Sequence, residues 1–573
     1  MTTALRTLSI LGAIALLGWG LLISDEISDA RWLLLLGGAW ILLVFGTRIT
    51  LPAGLPTFNR TLIRSGMLIA TVFIVISAQL VRIQVVEQDA IYYRTGVDAE
   101  GEVISNPRLV SQQLDFERGR ILDRNGTVLA DTIEQDGIYY RSWPVASAWP
   151  VTGYYSPMMY GSTGLEATYE GELSGDGRNS FENTFRQLLG MTPQGNNLVL
   201  SLDADLQTQA MTMLGDSRGS VVVLDVETGA TVVLASNPTF DPNQLFTTGN
   251  DPEAAAYWNS LLEDPSTPLV IRANQGVYTP GSTFKTVTAA IAIEEGYAQP
   301  DSIYEDSGQL NIDGRILPEF NRPDESRDQW TLAEGIAWSL NVVFAQIGMQ
   351  IGGETYWQYG PELGFGVTIP YDLPVAESQM ANNRDALSDT NMVADTGFGQ
   401  GQLLMSPLHL AMIASTWAND GRMMEPWLVE SITDPDGQTI WTASPDTWRQ
   451  PVSAETANDV QEMMVNAVEN GSISGARVEG YVVGGKTGTA EIGNERSHSL
   501  FIGFIGDPEP RYAVAVVLEE GSGGLTSAVA IGRDILVATI GRHPEQLTSG
   551  PLETAYVRSQ FRGDWVGKEP EIW

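Results

Sequence analysis

Residues 278–290 read YTPGSTFKTVTAA, and this stretch decides the fold because it holds one of only three lysines, Lys285, Lys486 and Lys568, among 32 basic residues. Pro280-Gly281 and Ser282 predict a helix start, and the apolar spacing carries that helix to Gly296. Ser282 and Lys285, at i and i+3, then share one face of its first turn. A hydroxyl beside an amine suits nucleophilic catalysis, and the helix N-terminus offers a backbone N–H and partial positive charge to an oxyanion. Burial beside a second cation lowers a lysine's pKa enough to make it a base. Arginine cannot be deprotonated in this way, which is a chemical reason for an arginine-rich chain to place lysine here. The bland alternative is a capping serine followed by a solvated first-turn charge.

The second lysine lies in YVVGGKTGTA, residues 481–490. From composition, an S-x-x-K arises by chance about 0.2 times in such a chain and K-T-G about 0.02 times. Between them TLAEGIAWSLN (331–341) opens with a capping-box pattern and ends on Ser339-Leu340-Asn341. S-x-N alone is weak. The order Ser282/Lys285, Ser339/Asn341, Lys486-Thr487-Gly488 is not, because it reproduces the three motifs of penicillin-interacting serine acyltransferases.

The flanking sequence supplies a sheet. NNLVLSLDADLQTQAMTML (196–214) reads as a short strand and a helix opened by Asp203 or Asp205 and closed at Gly215. GSVVVLDVETGATVVLAS (219–236) reads as a hairpin about Glu227-Thr228-Gly229. YVVGGKTGTA, SLFIGFIG (499–506) and YAVAVVLEE (512–520) read as three further strands, and AVAIGRDILVATIG (528–541) as a closing helix. Two strands, a helical insertion, three strands and a helix predict an α+β domain whose antiparallel sheet is completed by distant parts of the chain.

Composition removes several function classes. The net charge of -38 over 573 residues leaves no cation cluster for a phosphate backbone, which excludes nucleic acid as a partner. The absence of cysteine removes thiol nucleophiles and disulfides. His409, His498 and His543 are too scattered to suggest a metal site or a Ser-His-Asp arrangement.

Residues 1–81 contain three uncharged apolar runs, Leu8–Ile23, Trp32–Gly46 and Met67–Val81, read as three transmembrane helices. A cleaved signal peptide is the alternative for the first, though no small-x-small site follows it. The loop between the first two runs holds three acids, whereas the next holds Arg48, Arg60 and Arg64 and no acid. That asymmetry predicts the second loop on the cytoplasmic side and everything after Val81 outside. Residues 82–196 read as a strand-rich spacer, 197–545 as the α+β domain and 546–573 as a tail.

With these motifs the chain resembles the class B penicillin-binding proteins, the peptidoglycan D,D-transpeptidases, over roughly residues 82–545. LVRIQVVEQDAIY (80–92), ERGRILDRNGTVLADT (117–132), SNPTFDPNQ (236–244), GFGQGQLLMSPLHLA (397–411) and WANDGRMMEPWLV (417–429) extend the likeness. The resemblance implies a penicillin-binding, serine β-lactamase-like fold behind a pedestal domain. It further implies Ser282 as acyl-accepting nucleophile, Lys285 as its base, Ser339 as proton relay and Asn341 as amide binder. Lys486 would lend charge, Thr487, Gly488 and Thr489 would bind substrate, and the Ser282 and Thr489 N–H groups would form the oxyanion hole.

Stem peptides, β-lactams, the bilayer and a polytopic membrane glycan polymerase are the partners implied, with no cofactor and no metal. Two extra apolar runs depart from the single anchor usual in the family. A serine β-lactamase is one competing reading, for which Glu462 and Asn466 at i,i+4 would be the deacylating pair. A β-lactam-sensing membrane receptor is the other.

Overall fold

The computed structural model describes residues 3–22, 28–48, 51–52, 54–83, 96–97, 103–104, 116–135, 138–157, 159–175, 194–247, 251–491, 497–521 and 524–542. Residues 84–92 of the LVRIQVVEQDAIY segment, the 546–573 tail, Lys568 and His543 lie outside that set. The chain divides into two compact units, Met1–Gln113 and Leu114–Trp573.

In the first unit the apolar runs form the helices Thr3–Leu22, Asp29–Gly46 and Thr57–Val81. Ala4–Leu21 and Thr57–Val81 are long and apolar enough to cross a membrane, and Ala30–Gly46 is a shorter apolar helix. The third helix starts ten residues before the apolar run at Met67, directly after Pro56. Proline cannot extend a helix backward, and the polar residues that follow it ride in the first turns.

The second unit holds two large sheets. One is five-stranded, in the order Thr231–Asn237, Gly219–Asp225, Pro510–Leu518, Ser497–Gly506, Val482–Glu491, antiparallel throughout. The expected hairpin and the three later strands therefore meet in one sheet, and Val482–Glu491 is its edge. Gly229 at φ +78° makes the hairpin turn, and the Asp225 carboxylate accepts from the Thr228 N–H and hydroxyl. The helix Gly524–Arg542 packs on the sheet. So does Pro407–Trp417, every residue of which is buried, with His409 and Thr416 hydrogen-bonded to backbone carbonyls.

The other sheet is six-stranded, in the order Thr439–Thr442, Val429–Thr433, Asn197–Leu200, Ile121–Leu122, Val128–Gln135, Ile138–Ser142. The sequence reads Asn197–Leu200 as a short strand at the start of the α+β region, without a partner. It pairs with Ile121–Leu122 and Val429–Thr433, because Leu198 and Leu200 on its one buried face continue the apolar layer of Ile121 and Ile432. The sheet thus knits the spacer to the α+β region. Asp203, rather than Asp205, caps the helix Ala204–Leu214. Asp123 of the LDRNG turn accepts from the Ala204 N–H at 3.0 Å, and Arg542 of the closing helix donates to Asp203 at 2.7 Å.

Beneath this sheet Glu166, fully buried, accepts from Arg118 at 2.6 Å and Arg141 at 2.7 Å. Burial alone would raise its pKa, but Arg141 and Arg118 hold it below the usual carboxylate range. Breaking such a pair leaves an uncompensated charge in the interior, which is why both arginines come with it.

Candidate active site

The turn that carries Ser282 is a 3-10 turn, Gly281–Phe284, and the α-helix proper is Lys285–Glu294. Its tightness follows from the close approach of the KTG strand. Gly281 sits at φ +54°, where a Cβ would lie 2.4 Å from Thr489 O. A Cβ on Gly488 would lie 2.5 Å from Pro280 O, and one on Gly399 1.8 Å from Gly281 O. Only glycine permits backbone contacts of that kind. Ser282 is half-buried on this turn, one turn before Lys285.

Lys285 is fully buried. Its Nζ donates to Ser339 O at 2.6 Å and to Asn341 Oδ1 at 2.8 Å, and lies 3.3 Å from Ser339 Oγ and 5.6 Å from the Phe344 ring centre. Lys486 reaches the same hydroxyl from the edge strand, at 2.8 Å, and donates to Thr487 O at 3.2 Å. Burial, then the charge of Lys486, hold the Lys285 pKa well below the ordinary lysine value, with Glu319 opposing them. Burial lowers Lys486 to about 7.

Ser339 ends the helix Leu332–Trp338 in the left-handed region, at φ 62° and ψ 41°. That conformation costs a non-glycine residue on the order of 1–3 kcal/mol. The serine is retained where glycine would be relaxed, and its hydroxyl lies between the two lysines. Two residues on, Asn341 begins the helix Asn341–Ile351.

The structure therefore brings Lys285, Ser339, Asn341 and Lys486 into one hydrogen-bonded network, with Ser282 on the adjoining turn. Gly488 packs under that turn, while Thr487, buried, and Thr489, partly exposed, lie on the edge strand with their carbonyls accepting from Lys486 and Gln400. Glu462, on the helix Ala454–Glu469, is exposed, and Asn466 Oδ1 accepts from Asn470. Neither has a hydrogen bond to the network. His409 is buried with Nε2 2.7 Å from Leu363 O, and His498 packs on Tyr278. Neither serves Ser282.

Three residues escaped motif reading. Gln400 Nε2 donates to Thr489 O at 3.1 Å, a role that GFGQGQ hinted at only by its glycines. Asn321 Nδ2 donates to Ser339 O at 3.0 Å, and Glu319 accepts from Val342 N–H at 2.9 Å. Neither Glu319 nor Asn321 has any local sequence signature.

Residues 219–537 match the penicillin binding protein transpeptidase domain family, and residues 118–198 the penicillin binding protein A dimerisation domain. The peptidoglycan D,D-transpeptidase PbpA of Mycolicibacterium smegmatis is 33% identical over 457 residues, 76% of this chain and 91% of that protein. The PbpA of Mycobacterium tuberculosis is 31% identical over 461 residues, 77% and 92% respectively. The ceftriaxone acyl-enzyme structure of penicillin-binding protein A from M. tuberculosis superposes with a TM-score of 0.70 at 30% identity, covering 75% of this chain and 99% of that one. A match across more than half of the chain, joined to relatives of this identity and coverage, means that the protein belongs to the penicillin-binding protein transpeptidase family.

Proposed function

We propose that this protein is a membrane-anchored peptidoglycan D,D-transpeptidase in which Ser282 carries the acyl group. The observation that carries the reading is a buried lysine of lowered pKa one turn from a serine, beside a hydroxyl shared with a second buried lysine. A neutral Lys285 amine has two N–H donors, which Ser339 O and Asn341 Oδ1 can engage, and its lone pair is then free for the Ser282 proton. The Ser282 oxygen attacks the carbonyl of the penultimate D-Ala of a donor stem peptide. The oxyanion is held by the N–H groups of Ser282 and Thr489. Collapse breaks the peptide bond, and the departing D-Ala amine takes its proton through Ser339. An amine from a neighbouring stem peptide then attacks the ester and gives a proton to Lys285, which passes it to the Ser282 oxygen as the ester C–O bond breaks, releasing the cross-link and restoring the serine.

In this reading Asn341 orients both Lys285 and the substrate amide, Lys486 sets the Ser339 hydroxyl and draws the terminal carboxylate, and Thr487, Gly488 and Thr489 pair with the substrate along the edge strand. The apolar helices anchor the chain, with the catalytic region outside. A membrane glycan polymerase would dock on the pedestal. The solved acyl-enzyme complex of the M. tuberculosis relative supports acylation by β-lactams.

The test is to treat full-length protein in detergent with a labelled penicillin and locate the adduct by mass spectrometry. A persistent adduct on Ser282, absent from Ser282→Ala, is the expected result. Rapid multiple turnover of the antibiotic would favour a β-lactamase, and acylation without turnover of stem-peptide donor and acceptor would favour a sensor.

A further inference from the structure

Two lysines buried within reach of one hydroxyl must be neutralised or offset by a nearby anion, and the three motifs contain no acidic residue. The charged groups that face Lys285 are Lys486 on the edge strand and Glu319, which follows the short hairpin Gln309–Ile312 and Arg315–Pro318. Glu319 is buried, although it sits beside Phe320, one of the most exposed apolar side chains of this unit. Its Oε1 accepts from the backbone N–H groups of Phe320 and Asn321, both at 3.0 Å. Its Oε2 accepts from Val342 N–H at 2.9 Å.

The last contact replaces a missing cap. The helix Asn341–Ile351 is preceded by Leu340, which offers no side-chain acceptor to the first-turn N–H groups. A carboxylate 23 residues upstream fills that position instead. Holding Asn321 by its N–H also aims Asn321 Nδ2 at Ser339 O, the carbonyl to which Lys285 donates.

We propose that Glu319 is a positioning residue: it clamps the start of the Asn341–Ile351 helix and the Asn321 side chain so that Ser339 O and Asn341 Oδ1 meet Lys285 Nζ, and it supplies the negative charge that balances the paired lysines. The inference rests on the reading of Lys285 as the base of Ser282.

The experiment measures the second-order rate of acylation by a fluorescent penicillin, as a function of pH, for the full chain in detergent. A nearby anion favours the charged lysine, so its removal makes Lys285 easier to deprotonate. In Glu319→Gln the acid limb should move to lower pH by about one unit, the lower end of what a neighbouring opposite charge does. The maximal rate should fall by about tenfold or more as alignment loosens. Glu319→Asp keeps the charge but shortens the reach, so its limb should stay in place while the maximum falls. An unshifted limb in folded Glu319→Gln overturns the proposal. If that variant fails to fold by circular dichroism, an undiminished maximum in Glu319→Asp overturns it. No acylation of the wild type at any pH would instead sink the reading on which it rests.

Discussion

Lys486 Nζ lies 2.8 Å from Ser339 Oγ, the hydroxyl that Lys285 Nζ approaches to 3.3 Å. Two ammonium groups cannot share one buried hydroxyl without strong repulsion. Burial, then the charge of Lys486, favour the neutral amine at Lys285. In the proposed mechanism the pair divides the labour, Lys285 serving as base and Lys486 as cation.

Arginine separates those tasks. Lys285→Arg keeps a charge but cannot accept a proton, so penicillin acylation should fall by roughly 10²- to 10⁴-fold. Lys486→Arg should be milder, limited by the bulk and planarity of the guanidinium. Second-order acylation rates of both variants, with circular dichroism to confirm folding, decide it. Wild-type acylation in Lys285→Arg would make that lysine structural.

The acylation rate should pass through a maximum with pH. It rises as Lys285 loses its proton, at a pH well below the ordinary lysine value of 10.5. It declines as Lys486 loses its own near 7. In Lys486→Met the alkaline limb should vanish. A rate that climbs steadily to pH 10 in the wild type would contradict the lowered values.

Burying Lys486 should cost stability in a way that pH reveals. Its folded-state value of about 7 lies below the ordinary 10.5, so between them the unfolded chain binds more protons and stability rises with pH. The cost is complete below pH 7 and gone above 10.5. Lys486→Met should therefore raise Tm at pH 6 and lose that advantage toward pH 10.5. A gain independent of pH would assign the effect to packing.

Gly281→Ala should damage the site without touching a motif side chain. The new Cβ meets Thr489 O at 2.4 Å at a φ of +54°, so the Ser282 turn must back away from the KTG strand. A shift of about 1 Å in a reacting group can cost on the order of 100-fold. Acylation kinetics of the folded variant measure it, and a wild-type rate would mean that the turn tolerates the displacement.

Reporter fusions test the membrane arrangement. The arginines at 48, 60 and 64 predict that a reporter joined after Thr57 is active only in the cytoplasm and one joined after Asp98 only outside. The reverse pattern would refute the proposed orientation.

Much of the fold was legible because periodicity and turn chemistry are local. The hairpin about Gly229, the helix capped by Asp203 and the strands after residue 481 each follow from neighbours a few residues apart. Other features were not legible, because they depend on partners far along the chain. Asn197–Leu200 carries the pattern of a half-buried strand, but which sheet it joins depends on apolar faces at residues 121 and 432. Ser282 opens a 3-10 turn because a strand two hundred residues later presses on Gly281.

By itself the sequence determined the chemistry on offer: a serine and a lysine one turn apart, a second serine with its asparagine, and a lysine beside Gly-rich strand residues. The tertiary structure decided which atoms meet, that Lys285 and Lys486 are buried together, and that Glu319 faces them. The physical reason is that a pKa depends on desolvation and on charges a few ångströms away. Those distances are set by packing between Lys285, Glu319 and Lys486, residues that lie far apart along the chain and adjacent in the fold.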